Sequence, residues 1–168
     1  LTQEERAAQG WIAHLMAYDS RLLLHYFRLM PGGRFLFGMR GGTRATPASE
    51  ARIARKIRAD FAAMFPAWAD VEIAHEWSGL VTLTARGTPF VGAVPELPGI
   101  WAALAYHGNG VAMGTFAGAF AADLMRGVEP RLPFPEAMRA PLARFPLARW
   151  RRGLFAAIQP VVGWADRL

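Results

Sequence analysis

There is no cysteine among the 168 residues, so a disulfide framework, a thiolate nucleophile and a Cys-based zinc site are all excluded. Nothing hints at an oxidising compartment, and the cytoplasm is the default location. Lysine is nearly absent too: Lys56 stands alone, and the formal charge of +6 rests on arginine. So one-sided a use of arginine reflects codon composition as readily as function. Nucleic-acid binding would need a basic stripe with interleaved aromatics or a recognisable module. The densest cluster is only Arg144, Arg149, Arg151 and Arg152, which reads as a solvated tail. The first residues, "LTQEERAAQG", carry carboxylates where a secretory signal needs a basic region and an apolar run, so no targeting segment is visible. An initiator methionine is missing as well, which suggests a fragment or processed piece of a longer chain.

No charged side chain occurs from Leu97 to Ala122. On length alone this run is a transmembrane candidate. Its composition argues otherwise: His107 and Asn109 fall inside it, glycines flank Asn109, and its first half has strand character. Spanning would leave backbone groups unpaired in lipid, so no membrane span is expected.

What the chain does have is 53% hydrophobic residues, ample for the core of one domain. Thr2 to Glu5 fits a capping box at a helix start. Leu22 to Met30 and Arg34 to Met39, joined by "PGGR", read as a hairpin whose imperfect alternation suggests burial on both faces. Thr46 and Pro47 look like an N-cap and first helical position. From there Ile53, Ile57, Phe61 and Met64 recur at helical spacing up to about Pro66. Val71 to Thr84 reads as one or two strands, Phe90 to Val94 and Ile100 to Tyr106 as further strands, and Val111 to Arg126 as a helix closed by Gly127. The proline-punctuated remainder from Glu129 should run over the surface, with a short helical piece from Trp150. No internal repeat is visible. The sum is an α+β fold with a mixed or antiparallel sheet.

A buried strand, a tight glycine turn and a helix that opens on small residues can bring backbone amides close to a ligand. Free N–H groups and the helix dipole attract a phosphate, a carboxylate or a carbonyl that becomes anionic. Gly108, Gly110, Ala112 and Gly114 remove the bulk that would block such an approach. Spacing alone allows an equally good alternative, close packing of the helix on a sheet. Among the histidines, His14 and His75 lack a partner motif, His25 lies beside Tyr26 in a strand, and His107 borders the glycine turn. No histidine and carboxylate set has metal-ligand spacing. Ser20, Ser49 and Ser78 lack a nucleophile-elbow context.

Three ordered blocks nevertheless combine: "YDSRLLLHYFRLMPGGRFLFGMRGG", "WSGLVTLTARGTPFVGAVPELPGIWAALAYHGNGVAMGTFAGAFAADLMRG" and "LPFPEAMRAPLARFPLARWRRG". Together they resemble the C-terminal half of a flavin-dependent oxidoreductase of the D-amino-acid-oxidase-like (DAO) family, nearest its gamma-glutamylputrescine-oxidoreductase branch. The resemblance implies a substrate-binding sheet and helix over 1–98, a strand–turn–helix facing the flavin over 99–128, and a Pro/Arg-rich tail over 129–168. It also implies FAD as cofactor, held by an N-terminal half carrying G-x-G-x-x-G. "GNGVAMG" does not have that spacing, so the half that grips the dinucleotide is expected upstream, and the chain alone is expected to bind FAD poorly and to be inactive.

In such a relative, His107, Gly108, Asn109, Gly110 and Val111 would face the flavin N1 and C2 carbonyl. Hydride would pass from the carbon beside a neutral amine to flavin N5. No side-chain acid or base is obligatory, although His107 is the catalytic candidate. His25, Tyr26, Trp77 and Tyr106 would form the aromatic wall around the substrate. Amino-acid-oxidising relatives tend to place an arginine after W-x-G-L and some another before the N-G turn, to clamp a carboxylate. Here those positions are Val81 and Gly108, which favours a primary or secondary amine over a free amino acid. Arg21, Arg28 or Arg40 could replace the clamp. Two other classes stay open on the residues alone: a noncatalytic protein-interaction domain and a basic membrane-surface module.

Overall fold

The computed structural model describes all residues except 12, 43, 144, 146–148 and 166–168, and describes the backbone alone at 151, 152, 155, 159, 162 and 165. Arg144 of the basic cluster, and the side chains of Arg151 and Arg152, therefore lie outside the described residues. The chain forms two compact units, Leu1–Ser78 with Arg152–Leu168, and Gly79–Arg151.

In the first unit, α1 (Gln3–Gln9) opens on the expected capping box: Thr2 Oγ1 accepts from the Glu5 amide at 3.1 Å, and a Glu5 carboxylate oxygen accepts from the Thr2 amide. The hairpin is present as β2 (His25–Leu29) and β3 (Phe35–Met39), with Gly32 and Gly33 left-handed in the turn. Its first strand is one-sided rather than buried on both faces. His25, Phe27 and Leu29 are buried while Tyr26 turns outward, because a strand with one covered face buries alternate residues. A third strand, β1 (Met16–Tyr18), pairs antiparallel with β2, Ala17 opposite Phe27. Three residues are too few to show a period.

Helix α2 (Pro47–Met64) starts as expected, with Thr46 Oγ1 accepting from the Ser49 amide at 3.3 Å and Pro47 in the first turn. Its last turns and the short 3-10 turn Pro66–Trp68 deliver Phe61, Phe65 and Trp68 onto the sheet. There Phe35 meets Trp68 at 4.8 Å and Phe65 at 5.0 Å between ring centroids, both edge-on. Trp68 is fully buried, and its indole N–H donates to the Glu5 carbonyl at 2.6 Å, tying α1 to this aromatic core.

Val71 to Thr84 forms no strand, contrary to its composition. Apolar and β-branched residues favour an extended backbone, but a strand exists only where a neighbour completes the ladder. This segment is instead tethered by side chains, Arg58 of α2 pairing with Glu76, and it leaves Ile73, Trp77 and Leu80 exposed.

The second unit is built on β4 (Phe90–Ala93) and β5 (Trp101–Leu104), an antiparallel pair in which Phe90 faces Leu104 and Ala93 faces Trp101. Among the described residues both sheets are antiparallel, three-stranded and two-stranded, so the α+β class holds with separate small sheets in place of one. Helix α3 (Gly110–Met125) packs Ala117 and Phe120 against Val91 and Met138, with Phe134 stacked on Phe120. Met138 sits on α4 (Glu136–Arg139), a short element in the stretch expected to run over the surface. At the far end of α3, Gly127 takes the left-handed conformation. Asp123, buried, accepts from the Arg131 backbone amide at 3.2 Å and from its Nε at 3.0 Å. Helix α5 (Arg151–Ala165) closes the chain.

Because Trp68 fills the aromatic core and also holds α1, Trp68→Ala should lower stability by about 3–5 kcal/mol. Urea unfolding followed by circular dichroism measures this, and a loss below about 1 kcal/mol would show that the core does not depend on this ring.

Candidate functional site

The strand-to-helix turn of the second unit is strained and open. After β5, Ala105 (φ 62°), His107 (φ 53°) and Gly108 (φ 104°) all take the left-handed region. For non-glycine residues this costs of order 1–3 kcal/mol each. The turn is closed by the Asn109 amide donating to the Tyr106 carbonyl at 2.9 Å, and the helix by Met113 donating to the Asn109 carbonyl at 2.9 Å. The amides between, of Gly110, Val111 and Ala112, have no acceptor within the helix. Asn109 at the N-cap makes no side-chain cap bond, and Val111 is 96% exposed. Free donors and the positive end of a 16-residue helix therefore face outward.

The glycines of this helix do not serve close packing inside the unit. A Cβ at Gly114 or Gly118 would meet nothing within 4 Å, and one at Gly110 only the Tyr106 ring at 3.7 Å. Their smallness clears an outer surface, while the packed face uses Ala117 and Phe120.

His107 is half-buried and bound to the preceding loop. Its Nε2 lies 3.2 Å from Thr84 Oγ1, whose own hydrogen goes to the Thr88 carbonyl at 2.7 Å. Nε2 must then donate, which fixes the Nε2–H tautomer. The longer approach of the Thr84 amide to the same nitrogen, 3.5 Å, is incompatible with that tautomer and gives way to the shorter contact. Thr84 was not singled out by sequence; it stands 23 residues from His107 and carries no local signal.

In the first unit His25 is 1% exposed. Its Nδ1 is 2.6 Å from Asp19 Oδ2 and its Nε2 3.0 Å from Asp60 Oδ2. Phe37 stacks on the ring at 5.3 Å. The ring is thus held between two carboxylates, one at each nitrogen. Arg21 lies 3.2 Å from Nδ1 and pairs with the same Asp19 carboxylate. Lys56 pairs with Asp60 one helical turn away. Burial raises the carboxyl pKa of Asp19, but hydrogen bonds from the His25 ring and amide outweigh it and the net shift is downward. Asp60 is likewise pushed up by burial and held lower overall by Lys56 and His25. Partners six and 35 residues away gave the sequence no pattern to reveal this clamp.

The remaining expected site residues are accessible to differing degrees. Tyr26 is 39% exposed and lies across Gly38, where any Cβ would collide with its ring. Trp77 is exposed in the extended segment and Tyr106 is half-buried beside Gly110.

The second unit thus presents an uncapped helix start behind a strained glycine turn, within an α+β chain. Residues 2–124 match the family described as FAD dependent oxidoreductase (DAO), and the chain belongs to that family. It is 36% identical over 124 residues to the probable oxidoreductase OrdL of Rhizobium meliloti, covering 73% of this chain and 28% of that protein. The probable oxidoreductase OrdL of Haemophilus influenzae is 32% identical over 123 residues, 73% of this chain and 27% of its own length. The glycine oxidase of Pseudomonas aeruginosa is 34% identical over 89 residues, 53% and 24% respectively. The chain thus spans about a quarter of the length of the curated relatives it matches. Among the described residues no side chain caps the Gly110, Val111 and Ala112 amides, and a Cβ at Gly110 would meet only the Tyr106 ring at 3.7 Å, so this helix start is compatible with the carbonyl edge of the family's cofactor.

The lowered Asp19 and Asp60 values set a pH dependence. Stability contributed by the clamp is fully present above the unfolded carboxyl value of about 3.8 and is lost as pH falls below it towards the folded values. Urea midpoints measured at a series of pH values down through this window should therefore drop on the acid side, and Asp60→Asn should flatten that drop. An equally steep acid loss in Asp60→Asn would show that Asp60 is not part of it.

Proposed function

We propose that this chain is the C-terminal, substrate-binding portion of a cytoplasmic FAD-dependent oxidoreductase that oxidises a primary or secondary amine, or an amino acid, and that it stands nearest the gamma-glutamylputrescine-oxidoreductase branch. Its partner is an FAD-binding half of the same protein, and its substrate a small molecule. The observation that carries the reading is the open, uncapped start of α3 behind the strained His107–Gly108–Asn109–Gly110 turn. FAD, held on this chain's side by the Gly110, Val111 and Ala112 amides, would supply a two-electron hydride acceptor for the carbon beside the amine.

The chain's own contribution is electrostatic and positional. Fixed amides at Gly110, Val111 and Ala112 stabilise a group that is negative at the helix end more than one that is neutral, which is how preorganised donors accelerate a reaction. His107, donating to Thr84, holds the turn in its left-handed course. Tyr26, Trp77 and Tyr106 are the substrate-side aromatics, and His25 backs Tyr26 from the buried face of β2. Without an arginine at Val81 or Gly108, the amine is the favoured substrate class. The glycine oxidase relative acts, by its name, on an amino acid, and keeps that class as the alternative.

In the complete enzyme, Gly110→Val should slow flavin reduction by amine by about tenfold or more, since a branched side chain there would hold the ligand edge away from the amides, and a misplacement of about 1 Å can cost on the order of 10²-fold. Stopped-flow absorbance reads the rate, and an unchanged rate would refute the assigned place of Gly110. Titrating the 168-residue chain with FAD should leave flavin fluorescence unquenched. Tight stoichiometric binding would overturn the assignment of dinucleotide binding to another part of the protein.

A further inference from the structure

Helix α5 lies beyond the residues that the family match covers, 2–124. Leu154, Ile158, Val161 and Trp164 recur at intervals of four, three and three, which places them on one helical face. They are 44%, 52%, 62% and 62% exposed. Trp150, 71% exposed, precedes the helix by one residue. Large apolar side chains left open at this spacing form a surface that needs a cover.

The charges say what kind. Between positions 149 and 165 the chain carries Arg149, Arg151 and Arg152 and no acidic residue. They stand at the start of the helix, whose first turn contains no carboxylate. That is the wrong sign for the dipole of an isolated helix, which favours anions at its N-terminus. An external anionic surface offsets the mismatch and draws the same arginines. Pro160 supports a one-sided contact. It removes one helical N–H and leaves the Ala156 carbonyl without its donor. Ala156 falls two positions from both Leu154 and Ile158, hence across the helix from them, where its freed carbonyl can be hydrated. Among the described residues no helix is long and apolar enough to cross a membrane. Tryptophan near both ends, a basic start and an apolar face are the features of a helix lying in the headgroup region.

We propose that α5 is an interfacial helix that binds an anionic lipid surface through the Leu154, Ile158, Val161 and Trp164 face, with the arginines at its start providing the electrostatic attraction. The surface would hold the protein at a membrane without a span. A second copy of the chain is the competing occupant of the face.

The test uses the whole chain, sedimented with vesicles of phosphatidylcholine alone or with about 30 mol% phosphatidylglycerol. Binding is expected to the anionic vesicles at low salt, with tryptophan emission moving to shorter wavelength, and to fall at least about tenfold in roughly 0.5 M salt. Leu154→Glu with Ile158→Glu should abolish binding while leaving circular dichroism and the urea midpoint unchanged, because both positions are exposed. Arg149→Glu should weaken anionic binding alone. No binding to anionic vesicles, or equal and salt-insensitive binding to neutral ones, overturns the proposal. So does a dimer in sedimentation velocity that the Leu154→Glu, Ile158→Glu chain loses, in the absence of vesicle binding.

Discussion

Unsatisfied amides at the start of α3 are the constraint around which the second unit is organised. A helix end with free N–H groups is costly to bury and useful when exposed, so the rest of the unit has to hold that end outward. β4 and β5 fix where the chain leaves the sheet, and the left-handed residues Ala105, His107 and Gly108 turn it sharply into the helix. The strain of that turn, of order 1–3 kcal/mol at each non-glycine position, is sustained by contacts elsewhere. Phe120 and Ala117 anchor the middle of α3 against Val91 and Met138. Asp123, whose carboxyl pKa is lowered chiefly by the Arg131 hydrogen bonds, anchors its far end. The helix is therefore held along one face and at one end, and open at the other.

A comparison within the chain strengthens this view. Helices α1 and α2 both close their N-termini with their own threonines, Thr2 and Thr46. Asparagine is among the best N-cap residues, yet Asn109 does not cap α3. The open end thus coincides with the left-handed turn and with glycines that no neighbouring side chain requires to be small. Close packing would have produced the reverse, glycines tight against a neighbour. Here the tight contacts fall on alanine and phenylalanine, and the glycines face open space.

What the sequence revealed follows from how local each determinant is. The hairpin turn, the threonine–proline start of α2, the capping box of α1 and the course of α3 depend on residues within a few positions, and each was legible. The extended segment from Val71 to Thr84 misled because its composition satisfies strand propensity without a pairing neighbour. β1 is too short to show a period, and α4 is a single turn among prolines. The His25 clamp was out of reach for a different reason: Asp19 and Asp60 approach the ring only once β2 lies against α2, so the histidine's environment is a product of the fold. Its identity as a strand residue was readable; its two carboxylate partners were not.

Substrate class turns on a similar contrast between what is present and what the site would require. A substrate carboxylate taken from water into a closed site needs a cation beside it, because an unpaired buried charge costs several kcal/mol. Of the basic residues that could serve, Arg21 is already engaged with Asp19, while Arg28, whose buried Nε has no partner among the described residues, keeps an amino acid as the alternative. At the positions where a clamp would be expected stand Val81 and Gly108, neither able to pair with a carboxylate. A neutral amine makes no such demand: it needs apolar walls, exclusion of water and a nearby electrostatic sink for negative charge. The uncapped amides of α3 are a sink of that kind, which is the physical reason the proposal puts amines ahead of amino acids.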